Sequence, residues 1–449
     1  MSDHQYVLPS AKKAQPSVSR GESKRESKKV AKKMLPILIS AFFVGSLTSS
    51  LVISSAQAID LEMAFALAKK NDPKYQAAKS EKTATTADSV RSWLAYAPTY
   101  TYSQQQLPTL NTTSTTQTVT QPLFNAAKGA EVMQASSRGN LADFTFVVST
   151  QELATRTFNA VSQIVLATEA IKANDGRINA LESQYQGAKR KFELGQGTVT
   201  DLLDVQVKFE QAKADALTLR ANLKGAKDQF NAIVGQYPDN TDFALPNKHE
   251  IFKVALLDEI LAQVEKANPN ILAAKANESI AKYDIAKASA AILPSVGYTY
   301  QKTQYTNVNQ ENNGITMSIP LDIGSYVGTY AAYAKAKQSS SIRLETETKA
   351  KVEAQRLYEL IDAGQQSLKI KGQAMDTARQ SVTANQKSYE AGVKSTTDVL
   401  IAIQTLFQAR NDYAQAAVQQ ANQLLNLLLV GAEDPDQAVQ RTQAFLFRK

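Results

Sequence analysis

Apolar residues recur every three or four positions through two long stretches of the chain. The pattern is clear at Leu153, Phe158 and Val161, and it is typical of a helix with one buried face. Roughly 115 residues pass without a proline between Pro122 and Pro238, and again between Pro320 and Pro435. Because proline ends a helix, and because both stretches are rich in helix-forming Ala, Gln, Lys, Glu and Leu, both are predicted to be helical.

Each long stretch is broken once, at Gly195-Gln196-Gly197 and at Gly392-Val393. Glycine adopts the positive φ that ends a helix and allows the chain to reverse. The sequence therefore predicts two antiparallel helix pairs, one with helices at about 125–194 and 198–234, the other at about 323–391 and 395–430. The first long helix, at about 1.5 Å per residue, would be roughly 105 Å long.

Shorter helices are expected ahead of these pairs, at about 74–96 and 270–292, each followed by a polar stretch that reads as a β-hairpin. The predicted strands lie at about 97–107 and 113–124, and at about 294–306 and 313–322. Alternation is clearest from Ile315 to Leu321, with apolar and polar side chains on opposite faces, as a wall between lipid and water requires. Polar hairpins that cap a soluble coiled coil are the alternative.

Four strands of about ten residues are long enough to cross a bilayer when tilted, but about eight strands are needed to close a barrel. A membrane-spanning chain of this kind must therefore oligomerise. Three copies would supply twelve strands.

The chain repeats itself. Segment Leu61 to Tyr102 aligns without gaps with Leu257 to Tyr298 at an offset of 196, and later blocks match at offsets of 197 and 198. A period this long indicates one duplicated unit rather than a solenoid array. We therefore expect a first repeat at 59–245, a second repeat at 246–435 and a C-terminal tail at 436–449.

The N-terminus has the organisation of an export signal. Residues 1–33 carry nine Lys and Arg against three Asp and Glu, which accounts for +6 of the formal charge of +8. An uncharged run from Met34 to Ile53 follows, and then Ser54-Ser55-Ala56-Gln57-Ala58, which resembles a cleavage site. The segment 1–58 is therefore predicted to be a signal that is cut after Ala58. An uncleaved anchor at Met34 to Ile53 is the alternative.

Composition argues against most enzyme chemistry. The chain has no cysteine and two histidines, His4 and His249, so thiolate sites are excluded and a catalytic triad would depend on His249 alone. His249 lies in a polar turn, where a surface role is expected. With no phosphate-binding glycine loop either, we expect no catalytic residues, no cofactor, no metal and no nucleic-acid partner.

Several motifs resemble the TolC family of outer-membrane efflux and secretion ducts, over nearly all of the chain from Leu61 to about Gly431. The opening segment Leu61 to Pro73 is similar to the family's first helix and Asn-Asp/Glu-Pro turn, which is repeated at Ala267-Asn268-Pro269. Gln121 to Phe124 and Ile319 to Leu321 resemble the motif before each long helix. The strongest resemblance lies in the turns at Phe192 to Asp204 and Tyr389 to Leu400.

This resemblance implies a homotrimer in the bacterial outer membrane that extends into the periplasm. Each chain would give four strands to a 12-stranded β-barrel, and its long antiparallel coiled-coil helices would form part of an α-barrel. The implied function is a passive exit duct for type I protein secretion, drug efflux or both, together with a periplasmic adaptor protein and an inner-membrane pump of ABC or RND type. The alternative is a non-channel periplasmic coiled-coil protein with a structural or adaptor role.

The resemblance also implies a site at the turns. Asp398 matches the first of two carboxylates that line the family's periplasmic constriction, while Ile401 stands in place of the second. Three converging copies of Asp398 would raise one another's pKa and attract cations. The alternative for Asp398 is a carboxylate in the first turn of a helix. The remaining candidates are Gly392 and Thr397 in this turn and, as an outward-facing adaptor contact, Gly195, Gly197, Thr200, Asp201 and Asp204 in the first-repeat turn.

Overall fold

The computed structural model describes residues 59–107, 112–239, 243–246, 252–305, 308–320 and 323–447. The expected signal segment and His249 lie outside the described residues. Within the described part, the chain is mainly helical and has four antiparallel strands, which confirms the expected fold class.

The first half of the chain contains two short helices, two strands and one long helix pair. In chain order these elements are α1 (Leu61–Asn71), α2 (Pro73–Trp93), β1 (Thr99–Leu107), β2 (Thr112–Phe124), α3 (Ala126–Glu193) and α4 (Val199–Val234). Helix α3 has 68 residues and is therefore roughly 100 Å long. Helices α2 and α4 both pack against it.

The second half repeats this order and adds one helix. Its elements are α5 (Leu257–Ala267), α6 (Pro269–Ala290), β3 (Ser295–Gln304), β4 (Asn309–Ser318), α7 (Ile323–Glu390), α8 (Thr396–Val430) and α9 (Pro435–Phe447). Helix α7 also has 68 residues. It packs against α6 and α8, and the two halves meet where α3 contacts α6 and α8.

Each of the helices α2 and α6 begins at a proline that follows a capping side chain. Asp72 accepts a hydrogen bond from the Tyr75 N–H at 2.7 Å, and Asn268 accepts one from the Ile271 N–H at 3.3 Å. Proline is favoured at the first helical position because its missing N–H would have no partner there. This local chemistry separates α1 from α2 and α5 from α6.

The same junctions hold the ends of α4 and α8. Asn71 Nδ2 donates to the carbonyl of Val234, the last residue of α4, at 2.6 Å. Asn268 Nδ2 donates to the carbonyl of Val430, the last residue of α8, at 2.9 Å. A helix end leaves its last carbonyls without partners, so each asparagine satisfies one of them.

The four strands form one sheet in the order β1-β2-β3-β4, with antiparallel neighbours throughout. Strands β2 and β3 join the two halves, with Gln121 opposite Tyr298. Strands β1 and β4 are the two edges. An edge strand presents unpaired N–H and C=O groups to whatever lies beside it.

Strand β4 lies about four residues earlier than the alternation from Ile315 predicts. It pairs with β3 from Gln304 opposite Asn309 to Ser295 opposite Ser318. The pairing ends there because β3 begins at Ser295, directly after Pro294. Ile319 and Pro320, which were expected within the strand, follow it instead.

The main hydrophobic core lies around α1, where α3, α4, α8 and α9 meet. Its largest fully buried side chains include Phe65, Phe158, Phe230 and Leu425. Ile59, the first described residue, is also buried in it. A second cluster packs α5 and α6 against α7 and includes Val264, Ile271 and Leu357.

Of the segment 436–449, expected as a tail, the described residues 436–447 belong to helix α9. Ala438, Val439 and Leu446 of this helix are buried in the main core. Lys69 of α1 forms an ion pair with Asp436 at 2.6 Å. The segment is short, and its apolar positions gain partners from α8, α1 and α3, two of which lie far away in the sequence.

Candidate functional site

The two turns that end α3 and α7 have the same backbone. Gly195 has φ +68° and Gly392 has φ +76°, and these are the positive values expected of a helix-ending glycine. One residue later, the Gln196 N–H donates to the carbonyl of Lys191 at 2.8 Å, and the Val393 N–H donates to that of Ser388 at 2.9 Å. Both turns are therefore Schellman motifs, at an offset of 197.

The first turn leads into α4 through a capping threonine. The Asp201 N–H donates to Thr198 Oγ1 at 3.1 Å, and Thr198 Oγ1 donates to Asp201 Oδ2 at 2.6 Å. Gly197 lies so close to α3 that an added Cβ would sit 3.2 Å from Lys191 Cβ. Thr200 follows in the first turn of α4 and is exposed. Asp201 thus supports the turn itself.

The second turn leads into α8 through a reciprocal capping box. The Asp398 N–H donates to Ser395 Oγ at 3.2 Å, while the Ser395 N–H donates to Asp398 Oδ2 at 3.0 Å. Ser395 Oγ donates to the same oxygen at 2.8 Å, and Lys394 Nζ lies 3.4 Å from Asp398 Oδ1. Within one chain, Asp398 therefore has the first-turn role that the sequence offered as its alternative.

These contacts also set the charge of Asp398. Hydrogen bonds from the Ser395 hydroxyl and backbone, with the nearby Lys394 ammonium, hold the pKa of the Asp398 carboxyl below its usual value. The rise in pKa expected from three converging carboxylates concerns an assembly of copies, and it stays a prediction. The carboxylate is charged near neutral pH in the single chain.

The two turns lie side by side. Lys191, near the end of α3, places its Nζ 3.7 Å from the ring centroid of Tyr389, near the end of α7. Behind the turns, a small core joins the helix pairs through Leu181, Ala212, Val399 and Ile403. The residues singled out at the two turns are thus brought into one region at one end of the long helices.

A cleft of about 800 Å³ opens between α3, α4 and α8 in this region. Asp204, Thr397 and Ile401, all singled out in the sequence, line it. Arg177 lines it too, with Nη1 3.1 Å from Asp215 of α4 and Cζ 5.0 Å from the Phe407 ring of α8. Asp201 and Asp398 are not among the lining residues.

Sequence reasoning missed Arg177. Its side chain is largely buried although it is charged, because it bridges two other helices. The one local signal was Gly176, a glycine within a long helix, where an added Cβ would lie 3.2 Å from Arg410 Nη1. Glycine in such a position often marks the close approach of a neighbour.

The region is built from helix ends, caps and a cleft with charged and apolar walls. Among the described residues, no group of three His, Cys, Asp or Glu is placed to hold a metal ion. Across the same ranges, no helix has both the length and the apolar character needed to cross a membrane.

Comparison with known proteins identifies proteins to which the chain is similar. Residues 260–431 match the family described as "Outer membrane efflux protein". The chain is 25% identical to the outer membrane protein TolC of Salmonella enteritidis over 413 residues, 86% of this chain and 83% of that protein. It is 26% identical to the alkaline protease secretion protein AprF of Pseudomonas aeruginosa over 405 residues, 82% of this chain and 83% of that protein.

Solved structures share the fold. The outer-membrane channel OprN superposes with a TM-score of 0.72 at 16% identity, over 84% of this chain and 90% of that one. At this identity the likeness concerns the fold. It extends across both halves of the chain, beyond residues 260–431 that match the family.

Proposed function

We propose that this chain, which belongs to the TolC family of outer-membrane efflux proteins, is the outer-membrane exit duct of a three-part export system for type I protein secretion, drug efflux or both. The relatives include a TolC and a protein named for the secretion of alkaline protease. A duct of this kind supplies a path and leaves energy and substrate choice to its partners. It needs no catalytic residue or cofactor of its own.

The observation that carries the proposal is a small open sheet joined to very long helices. The strands have 9 to 13 residues, and a tilted membrane strand needs about 9–11. Four strands leave two open edges, whereas bacterial barrels close with about eight or more. Three copies give a twelve-stranded barrel, so the duct is a homotrimer whose outer strand faces contact lipid.

The long helices then form a tunnel that projects into the periplasm. The turns at Gly195 and Gly392 lie at the end of this tunnel, where the partners dock. These partners are a periplasmic adaptor protein and an inner-membrane pump of ABC or RND type. The adaptor contact consists of first-turn residues, Gly195, Gly197, Thr200, Asp201 and Asp204. The signal 1–58 is removed after Ala58 during export.

Asp398 lines the constriction of the tunnel in this proposal. Three carboxylates near one axis attract cations, even though each also caps its own helix. Asp398→Asn keeps an oxygen for the Ser395 N–H and removes the charge, so the cation-over-anion permeability ratio in planar bilayers should fall. Asp201→Asn, at the equivalent position of the first turn, is the matched control. An unchanged ratio in Asp398→Asn would remove Asp398 from the constriction.

The proposed function is tested by fractionation and conductance. The protein should be found in the outer-membrane fraction as a heat-dissociable trimer, and the purified trimer should conduct ions across a planar bilayer. A periplasmic coiled-coil protein would instead stay in the soluble periplasmic fraction or in the inner membrane and would form no channel.

A further inference from the structure

The hydrogen-bond register of the sheet sorts its side chains into two faces. Residues opposite each other on antiparallel strands point to the same side, and alternate residues along one strand point to opposite sides. Tyr100 lies opposite Val119, Val119 opposite Tyr300, and Tyr300 opposite Asn313, so these four share one face. We call it the apolar face, because it also carries Tyr102, Phe124, Val296, Tyr298, Ile315 and Met317.

The opposite face of the sheet is polar. Alternate positions from Thr99 to Gln105 on β1 and from Ser114 to Thr120 on β2 are all Thr, Ser or Gln. On β3 and β4, Thr299 Oγ1 lies 3.5 Å from Thr316 Oγ1 on this face. A membrane barrel turns apolar side chains towards lipid and polar ones towards its water-filled interior. The contrast therefore favours the apolar face as the lipid side of the proposed barrel.

The apolar face becomes polar partway along the strands. Towards the hairpins, the next residue of this face after Tyr300 is Lys302, which forms an ion pair with Glu311 of β4 at 2.5 Å. After Tyr102 the next residue of this face is Gln104. The hairpin end of the face is thus charged or polar, and its apolar members lie at the end nearest the helices.

The ion pair marks where the acyl chains stop. A charged residue on the lipid face of a barrel is most costly at the bilayer midplane and costs least near the interface. Tyrosine, in turn, is enriched where membrane and water meet. Tyr102 and Tyr300, directly before Gln104 and Lys302 on this face, therefore lie at the boundary between acyl chains and head groups.

The part of the sheet between this boundary and the helices is too short to cross a bilayer. Tyr300 lies five residues after Ser295, where β3 begins. At about 3.4 Å per residue and a tilt of about 40°, this stretch spans roughly 13 Å, whereas the apolar band of a bacterial barrel is about 25 Å tall. The rest of the band must therefore lie beyond the strands, on the side of the helices.

Exposed apolar side chains continue past the ends of the strands. Trp93, the last residue of α2, has 57% of its surface exposed. Leu94, Leu123, Leu293 and Ile319, each within a few residues of a strand end, are exposed as well. Exposed apolar groups gathered in one zone are typical of an interaction surface. Acyl chains are the occupant favoured here, because the zone continues directly from the apolar face.

We propose that the hydrocarbon layer of the membrane covers only the helix end of the sheet together with its junction to the helices, and that its outer boundary lies at Tyr102 on β1 and Tyr300 on β3. The inference rests on the proposed outer-membrane duct and adds the depth at which the duct sits. The hairpin end of the sheet, with Lys302 and Glu311, then stands among the lipid head groups.

Tryptophan fluorescence tests the junction directly, because Trp93 is the one tryptophan of the chain. The purified protein is reconstituted into vesicles of phosphatidylcholine with brominated acyl chains, which quench a tryptophan that they touch, and into vesicles of the unbrominated lipid. Trp93 should lose much of its fluorescence in the brominated vesicles.

Variants in a Trp93→Phe background place the same probe on the sheet. Ile315→Trp, at an apolar-face position that is 73% exposed, should be strongly quenched by the brominated lipid. Thr316→Trp, its neighbour on the polar face, is the matched control and should keep its fluorescence. Gln304→Trp, at the hairpin end of the apolar face, should also keep it and should emit at a longer wavelength than Ile315→Trp. Met317→Trp, on the same face, replaces Ile315→Trp if that variant does not assemble.

The outcomes separate the depth from the duct. Quenching of Gln304→Trp as strong as that of Ile315→Trp would overturn the boundary and leave the duct intact. An unquenched Trp93 beside a quenched Ile315→Trp would overturn the extension onto the helix junction. A protein in which every probe stays unquenched would contradict the proposed function first, and this inference with it.

Discussion

The two helix junctions show how one backbone is held by two different chemistries. In the first half, Asn71 donates to the end of α4, and Asp72 caps α2. In the second half, Asn268 alone does both, and Ala267 stands in the place of Asn71. The junction needs one acceptor and one donor, and an amide supplies both.

Because Asn71 supplies the donor in the first half, the carboxylate of Asp72 is available for a further contact. Asp72 is almost fully buried and forms two hydrogen bonds with the Arg156 guanidinium of α3, at 2.8 and 2.9 Å. The equivalent of Arg156 in α7 is Glu353, which pairs with Arg356 on its own helix. The first junction is thus tied to its long helix by an ion pair at the capping residue itself, whereas the second has an exposed ion pair between Glu265 of α5 and Lys351 of α7 at 2.8 Å.

The largest expected effect comes from breaking this ion pair. Asp72→Ala removes a helix cap and leaves Arg156 without its partner in a mostly buried place, which should lower the free energy of unfolding by about 3 kcal/mol. Asn268→Ala removes a cap and one hydrogen bond but leaves no charged group without its partner. The free energy of unfolding should therefore fall by only about 1–2 kcal/mol. Denaturant unfolding followed by circular dichroism measures both, and equal losses would contradict the comparison.

The same pair predicts an acid dependence at the capping residue of the first junction, which the neutral Asn268 of the second junction cannot have. The hydrogen bonds from Arg156 hold the pKa of Asp72 below its usual 3.8. A carboxyl with a lowered folded-state pKa stabilises the fold fully above its unfolded-state pKa, and this contribution is lost as pH falls through the folded-state value. The stability difference between the natural protein and Asp72→Asn should therefore be larger at about pH 6 than at about pH 3. A difference that does not change with pH would refute this assignment.

The ends of α4 and α8 offer a second contrast. Gly235 ends α4 with φ +79°, while its equivalent Gly431 has φ −67° and the next residue, Ala432, takes the positive φ of 62°. Gly235→Ala should cost about 2 kcal/mol, since alanine is strained there and its Cβ would lie 2.7 Å from Asn71 Nδ2.

Ala432→Gly is the opposite change and should raise the stability by up to about 1 kcal/mol, because glycine adopts positive φ without strain. Thermal unfolding of the two variants beside the natural protein checks the signs. If Ala432→Gly were destabilising, the packing of the alanine methyl group would contribute more to stability than the strain of its positive φ removes.

The smallest expected effects distinguish the two turns. Thr198→Ala removes the cap of α4 and should cost about 1 kcal/mol. Ser395→Ala should cost about half as much, because the Asp398 carboxylate still accepts the backbone N–H of residue 395. Hydrogen exchange of the amides in the first turns of α4 and α8 reports each loss locally. A larger effect in α8 would show that the reciprocal bond depends on the serine hydroxyl.

Local signals in the sequence were sufficient for the long elements. The structure begins and ends α3 and α7 within one residue of the expected 125–194 and 323–391. Proline, glycine and capping residues act over a few positions, so the ends of helices can be predicted from the local sequence. The boundaries of the two repeats, the signal and the role of Asp398 in a constriction stay predictions.

The features that the sequence did not predict depend on contacts between distant segments. The position of β4 depends on where β3 begins, and α9 buries its apolar face against α8, α1 and α3. The partners of Arg156 and Arg177 lie on other helices, so neither side chain stands out by its local pattern. These features depend on which helices become neighbours, and the sequence records that only through the repeat.

Helix α9 has a consequence for the order in which the molecule is made. The Glu62 N–H donates to Gln443 Oε1 at 2.7 Å, and Gln443 Nε2 donates to Asp60 Oδ2 at 3.0 Å, so the beginning of the fold is completed by its end. A chain emerging from the ribosome or an export channel cannot close the core around Phe65 until α9 arrives. A chain that stops short of α9 would keep that core open and present Phe65 to chaperones and proteases.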